Sequence, residues 1–478
     1  MTYYLFILAI FIIDFIVIIW VLLRPHREPA SRIAWVAVII LLPILGAGGY
    51  WLLGEVNIGR KRIIRLQKIQ DAMPSFSQSL KALPTSSQTA SASRFEHLFK
   101  LGKSISKFDP VSGNQAQLLA SSAAMIDSMV VDIDAAKAHV HMLFYIWLPD
   151  ESGQKVAEAL MRASRRGVKC RAMVDSIGSA ELLRSDLWRT MQDAGVQMAE
   201  ILPIGNPISK IIKSRIDLRN HRKIVLIDGS ITYCGSQNCM NDTFDEDDDM
   251  QWVDMVLRIT GPIALQNQYL FANDWMICTG QDVSHLLHQP LAEIGEGFAA
   301  QVIGTGPTDR HLAMSQMFVE LIATARQELI ITTPYYIPNE AIQSAIQSAA
   351  YRGVKTIMIF PAKNDSWLLQ AASHSYYQEL LDAGVKIYEY TSGLLHTKSL
   401  TIDGEFAMIG SANLDRRSFD LNYENNMLIY DQAIVGQIIE RQKTYILQSN
   451  AISQITVASW PTSRKLINNI IAMLGPIL

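Results

Sequence analysis

Four cysteines in 478 residues, Cys170, Cys234, Cys239 and Cys278, show no Cys-x-x-Cys spacing. Neither a zinc site nor a disulfide framework is expected from them, only reduced and mostly buried thiols. An excess of one charge is lacking too: 42 Lys and Arg against 45 Asp and Glu leave a formal net charge of −3. That excludes a global cationic field for gripping nucleic acid. A nucleotide-binding loop is also missing, because Gly304-Thr305-Gly306-Pro307 lacks the remaining glycine and no Walker lysine follows. The acidic run Asp245 to Asp249 has no calcium-motif spacing and reads as a solvated loop.

What is present begins with two apolar runs. Tyr3 to Leu23 is interrupted only by Asp14, and Ile33 to Leu53 follows after a segment holding Arg24, Arg27 and Arg32. Each is long enough to cross a bilayer, so an N-terminal two-helix transmembrane hairpin is expected over residues 1–60. A secretory signal is disfavoured because the first charge is Asp14, where a basic n-region should stand. Asp14 costs about 2.5–3.5 kcal/mol on insertion scales, which the neighbouring Ile, Leu and Phe offset. It either serves a function or packs against the second run. Arg60, Lys61, Arg62, Arg65 and Lys68 after that run favour a cytoplasmic body by the positive-inside rule. Met73 to Ser93, rich in Ser, Thr, Ala and Gln, reads as a loose part of a linking segment, 61–115.

Beyond the linker the chain repeats itself. His139 to Leu148 reads as a buried strand, Gly153 to Arg165 as a helix, and Arg166-Gly167-Val168-Lys169 leads into a strand at Cys170 to Val174. The same order returns with Glu328 to Thr333, Asn339 to Tyr351, Arg352-Gly353-Val354-Lys355 and Thr356 to Phe360. Each copy then has a helix ending in Asp-Ala-Gly-Val, at Asp193 to Val196 and Asp382 to Val385. Such alternation predicts two α/β domains, 116–290 and 291–478, each a mixed sheet covered by helices. Their boundary is expected near Ser284 to Glu296. The first copy carries an insertion with a basic stretch, Lys210, Lys213, Arg215, Arg219 and Arg222, suited to anionic headgroups or to solvent. The apolar tail from Lys465 to Leu478 suits packing on the body or lying in the bilayer interface.

The chemistry sits in a motif found once per copy. His221-Arg222-Lys223 is followed by Asp228-Gly229 and Gly235-Ser236-Gln237-Asn238; His396-Thr397-Lys398 is followed by Asp403-Gly404 and Gly410-Ser411-Ala412-Asn413. On extended chain, residues two apart share a face, which sets each imidazole beside an ammonium. Asp-Gly is a strong turn signal, so each motif reads as a hairpin whose aspartate either forms the turn or joins the catalytic set. Two histidines in opposite protonation states suit phosphodiester chemistry, one attacking phosphorus and one protonating the leaving alkoxide. Lys223 and Lys398 would stabilise the non-bridging oxygens, with Ser236, Asn238, Ser411 and Asn413 as substrate phosphate-binding groups. Neither a metal nor another cofactor is called for.

These paired motifs resemble the phospholipase D superfamily over about residues 120–450. Within it the chain is similar to bacterial cardiolipin synthases, through Trp35 to Gly54, Phe144-Tyr145-Ile146-Trp147, Pro334-Tyr335-Tyr336-Ile337-Pro338, Gly393-Leu394-Leu395 and Asn413-Leu414-Asp415-Arg416-Arg417-Ser418-Phe419. The resemblance implies two α/β/α domains joined as a pseudo-dimer around one site. It further implies an enzyme of the bacterial inner membrane that joins two phosphatidylglycerols into cardiolipin through a phosphatidyl-histidine, with release of glycerol. Glu424 matches a family acidic position that holds a histidine, and Asp254 is placed similarly in the first copy; ordinary surface acids are the alternative. Competing readings are a hydrolase yielding phosphatidic acid, a nuclease, and a non-enzymatic lipid-binding scaffold. All six His, Lys and Asp positions are present, against the expectation for a degenerate scaffold.

Overall fold

In the computed structural model, which describes residues 2–25, 29–54, 60–72, 94–203, 215, 217–243, 251–288, 295–473 and 475, the first apolar run forms a 22-residue helix, Thr2–Leu23. At 1.5 Å per residue it is about 33 Å long, enough for a bilayer core. Among the described residues it is the one helix long and apolar enough to cross a membrane. The second run departs from the expected hairpin. Its helix covers Pro29–Leu41 only, because Pro43 cannot donate to the ladder. A short helix, Leu45–Gly49, and a π turn, Tyr50–Gly54, continue it. Asp14 is buried, and its Oδ1 accepts from the Ile44 amide at 3.4 Å, just past the break. Of the two roles open to Asp14, packing against the second run is the one seen. Val21, Ile39 and Tyr50 close the small core between the runs. This unit is built on Met1–Ile64; the second holds Arg65–Pro203 and Arg219–Pro476.

In the second unit the first series of strands comprises β1 (Val111–Leu118), β2 (His139–Phe144), β3 (Lys169–Asp175), β4 (Gln197–Ile201), β5 (Ile224–Ile227), β6 (Ile231–Gly235), β7 (Trp252–Val253) and β8 (Val256–Thr260). The second comprises β9 (Phe298–Thr305), β10 (Glu328–Thr332), β11 (Tyr336–Ile337), β12 (Lys355–Pro361), β13 (Lys386–Tyr390), β14 (Leu394–Leu395), β15 (Ser399–Ile402), β16 (Phe406–Gly410), β17 (Leu414–Asp415) and β18 (Glu424–Tyr430), with β19 (Ser449–Ile452) added at the edge. Rather than two separate sheets, the halves form one 15-stranded sheet joined by antiparallel pairing of β1 with β9. Read outward from that join, one half runs β1-β8-β6-β5-β2-β3-β4 and the other β9-β18-β16-β15-β10-β12-β13. The two orders are the same, so the repeat in sequence is a repeat in topology. Strand β1 crosses the expected start of the first copy at residue 116.

Short repeated motifs prove to be helix ends. The helix Glu151–Arg165 is capped by Asp150, whose side chain accepts from the Gly153 amide, and Glu340–Tyr351 is capped by Asn339 on the Ile342 amide. Both stop at Arg-Gly-Val-Lys, where Gly167 and Gly353 take φ of 91° and 86° and the valine amides reach back to Ala163 and Ala349. That is the left-handed glycine closure of a helix. Helices Ile263–Thr279 and Gln432–Leu447 cover one face of the sheet over a core shared by both halves. On the opposite face each half has its own core, around Met129, Leu160 and Val174 in one and Phe318, Ile346 and Met358 in the other. Residues 73–93, Lys210 and Lys213 of the basic stretch and the run Asp245 to Asp249 lie outside the described residues, while Arg215 is buried and paired with Asp217.

Candidate active site

Each histidine is seated by the opposite half of the sheet. The His221 amide donates to Tyr423 O at 2.9 Å, and the His396 amide to Val253 O at 2.9 Å. Tyr423 and Val253 directly precede Glu424 and Asp254. The side chains follow the same exchange. His221 Nδ1 lies 3.2 Å from Glu424 Oε2, with Ser411 O at 3.1 Å, and His396 Nδ1 lies 2.7 Å from Asp254 Oδ1. An acid from each copy therefore orients the other copy's imidazole. With Nδ1 engaged, Nε2 is the atom left to meet a substrate.

The Gly-Ser-x-Asn segments build this arrangement. A Cβ at Gly235 would lie 2.1 Å from Met255 O, and one at Gly410 would lie 2.4 Å from Asn425 O, so only glycine lets the strands approach this closely. The approach puts Ser236 Oγ 2.6 Å from Asp254 Oδ1, and Ser411 Oγ donates to Glu424 Oε2. Both hydroxyls also accept a backbone amide, from Met255 and Asn425 respectively. Ser236 and Ser411, the expected substrate phosphate-binding groups, are thus engaged here with the acids that hold the histidines. Each hydroxyl has one proton and spends it on the acid that holds a histidine. Asn238 Oδ1 accepts from the Ile146 amide, which ties the segment after β2 to the site. Asn413 Nδ2 donates to Asp415 at 3.2 Å, while Asn413 Oδ1 is buried without a partner among the described residues.

Lys223 and Lys398 are buried, and each Nζ donates to the carbonyl of its own motif's histidine, at 3.0 and 2.6 Å. Burial lowers Lys223 to about 8. It lowers Lys398 to about 7, Lys223 adding to the effect and Asp254 opposing it. Burial and Lys398 hold His396 down to about 3 against Asp254; burial and Lys223 likewise push His221 down against Glu424. Burial alone would raise the carboxyls, yet the imidazoles, lysines and serine hydroxyls beside them keep Asp254 and Glu424 below their usual range. The resting site thus holds neutral imidazoles beside cations that have given up much of their hydration. An anion entering it supplies the charge that both lysines lack and raises the proton affinity of the imidazoles.

Asp228 and Asp403 stand elsewhere. With φ of 50° and 52°, followed by Gly229 at 65° and Gly404 at 72°, each aspartate and its glycine fill the two central positions of a tight turn, between β5 and β6 and between β15 and β16. The Asp228 carboxylate accepts the amides of Lys137, Ala138 and His139; that of Asp403 accepts Arg326, Gln327, Glu328 and the Arg94 guanidinium. Of the two roles open to them, the turn-forming one is the one seen: they lash the hairpin turn to the start of β2 or β10. Asp403→Ala is expected to cost about 1–3 kcal/mol of stability, seen as a lowered Tm, while the folded variant keeps activity within a few-fold. Loss of turnover at unchanged Tm would return the residue to the chemistry.

One further expectation changes. Arg219 and Arg222 do not face headgroups, being buried beside Asp175 and Asp274. Arg222 also donates to Glu424 O at 3.1 Å, so it braces the strand that presents the acid to His221. Aromatic rings wall the histidines, with Tyr145 edge-on to His221 at 5.0 Å and Trp252 tilted to His396 at 4.5 Å. The signal for Tyr145 was its place just after β2, repeated by Tyr335 after β10.

Comparison with known proteins agrees with the geometry. A family model described as cardiolipin synthase, PLD-like domain, matches residues 129–275 and 318–445, and one described as phospholipase D-nuclease N-terminal matches 12–55. Cardiolipin synthase A of Edwardsiella ictaluri is 34% identical over 464 residues, covering 96% of this chain and 95% of that protein. Cardiolipin synthase A of Serratia proteamaculans is 35% identical over the same length and the same shares. A phosphatidylserine synthase of Haemophilus influenzae shares the fold, with a TM-score of 0.61 over 81% of this chain and 100% of that one at 16% identity. A paired-motif site on a duplicated sheet, together with relatives matching along almost the full length, shows that the chain belongs to the cardiolipin synthase family of phospholipase D-like phospholipid transferases.

Proposed function

We propose that the protein transfers a phosphatidyl group from one phosphatidylglycerol to another, making cardiolipin and glycerol at a membrane. The observation that carries the reading is the exchange of acids, Glu424 to His221 and Asp254 to His396, which brings two oriented imidazoles and two lysines into one site. In the first step His221 Nε2 attacks phosphorus and the bond to the departing glycerol oxygen breaks. His396, protonated once the anionic phosphodiester is bound, gives its proton to that oxygen. In the second, a hydroxyl of another phosphatidylglycerol loses its proton to His396 and attacks phosphorus, and the phosphorus–nitrogen bond breaks. Burial and Lys398 hold His396 down to about 3 in the resting site, so its proton-carrying role rests on the bound anion offsetting them; the 2.7 Å contact with Asp254 then favours the imidazolium. Lys223 and Lys398 meet the charge that builds on the phosphoryl oxygens. Residues 1–60 anchor the chain, and the arginines and lysines after them favour a cytoplasmic body.

The test is conversion of phosphatidylglycerol vesicles by purified full-length protein. Cardiolipin and glycerol are expected in equal amounts by mass spectrometry. Phosphatidic acid as the sole product would replace transfer by hydrolysis and overturn the reading.

A further inference from the structure

The C-terminal helix, Thr462–Met473, packs inside out. Asn468 and Ile471 turn inward, whereas Leu466, Ile467, Ile470 and Met473 are 60%, 50%, 52% and 80% exposed. Their spacing places them on one stripe. A soluble surface helix would carry its aliphatic stripe the other way round. Its partner in the fold is the helix Trp367–His374. Ile471 packs on Ala371, Ala372 and Ile337, and Arg464 Nη2 meets His374 Nδ1 at 3.3 Å. Those contacts make the two helices antiparallel and bring Trp367, 67% exposed, towards the Met473 end.

The inward face of the helix, through Ile471, leads back towards the catalytic centre. Ile337 lies in β11, which pairs with β17, and β17 starts at Leu414, the residue after Asn413. The polar flank also has an interfacial composition. Arg464 lies over the Trp460 ring at 4.0 Å, and Lys465 reaches the Ala458 carbonyl. Aliphatic residues on one side with Trp, Arg and Lys at the border are the pattern of a helix lying in a membrane surface. The chain's own spanning helix keeps a bilayer within reach.

We infer that the helix Thr462–Met473 is a second membrane contact, lying flat in the headgroup and acyl boundary and seating the rim beside Asn413 on the bilayer from which lipid substrates come. The inference rests on membrane association and not on which lipid reacts. A stripe of side chains immersed among acyl chains serves substrate capture and leaves the chemistry untouched.

The test uses the full-length protein in phosphatidylglycerol-containing nanodiscs. A nitroxide is placed at Ile470→Cys in a Cys278→Ser background, the other three thiols being buried. Oxygen is expected to relax the label more than a water-soluble nickel chelate does. Dominance of the chelate, or spin–spin coupling to a second copy, overturns the inference. This readout needs no turnover, so it stands even if the proposed reaction fails. A kinetic arm uses Leu466→Glu with Ile470→Glu. KM for lipid in bilayers is expected to rise about tenfold at unchanged kcat, with activity on a short-chain, monomeric phosphatidylglycerol unaltered. Equal losses on both substrates would assign the stripe to folding instead.

Discussion

Replacing His221 or His396 with alanine is expected to lower kcat about 10⁴-fold or more, the largest effect of any substitution in the chain. The two losses differ in kind, and a substrate with an activated leaving group separates them. A p-nitrophenyl phosphatidyl ester departs as a phenolate without a proton, so its first step needs the nucleophile and not the acid. His396→Ala should then release one equivalent of p-nitrophenolate per site in a burst and stop, leaving a phosphatidyl group on the protein. His221→Ala should show no burst and no protein-bound phosphorus. The reverse pattern would exchange the roles of the two histidines; absence of a burst from both would remove the covalent step. Both residues are buried, so each variant leaves a carboxylate, Glu424 or Asp254, without its imidazole. Thermal melting accompanies the assay, and a variant with a native melting profile carries the conclusion.

The histidine and lysine pairs were legible because a pattern recurring at fixed offsets leaves little room for chance, and helix ends were legible in Arg-Gly-Val-Lys because glycine there has a local job. What escaped depends on which chain segments meet. The partner of a serine hydroxyl is a three-dimensional fact: it takes the pairing of β6 with β8 to bring Met255 and Asp254 against Ser236. In the same way nothing in the spacing says that Glu424 serves the other copy's histidine, since that follows from the long-range seating of His221 beside Tyr423. The single sheet was hidden for a related reason, because β1 and β9 pair across a long stretch of sequence. Pro43 was visible all along, yet a continuous apolar run outweighed it in reading the second segment as one helix.

Lys223→Met and Lys398→Met are expected to lower kcat/KM about 10²–10³-fold each, because each removes a preorganised positive charge from a water-poor site where phosphoryl oxygens gather charge. The same burial that strengthens the lysines makes them titrate early, Lys398 at about 7 and Lys223 at about 8. In the free enzyme the protonated forms are therefore lost as pH rises through that window, and kcat/KM should fall along an alkaline limb between about 7 and 8. A bound phosphodiester stabilises both ammonium groups, so the limb in kcat should lie at higher pH. Lys398→Met should leave only the later of the two steps. Stability runs the other way. In the unfolded chain these lysines titrate near 10.4, so from about 7 up to that value the unfolded state binds more protons, and the contribution of the two groups to stability grows with pH. Denaturant midpoints of detergent-solubilised protein should rise across an interval in which kcat/KM falls, and the rise should be smaller in Lys398→Met. Parallel loss of stability and activity above neutral pH would mean that neither lysine carries the alkaline limb.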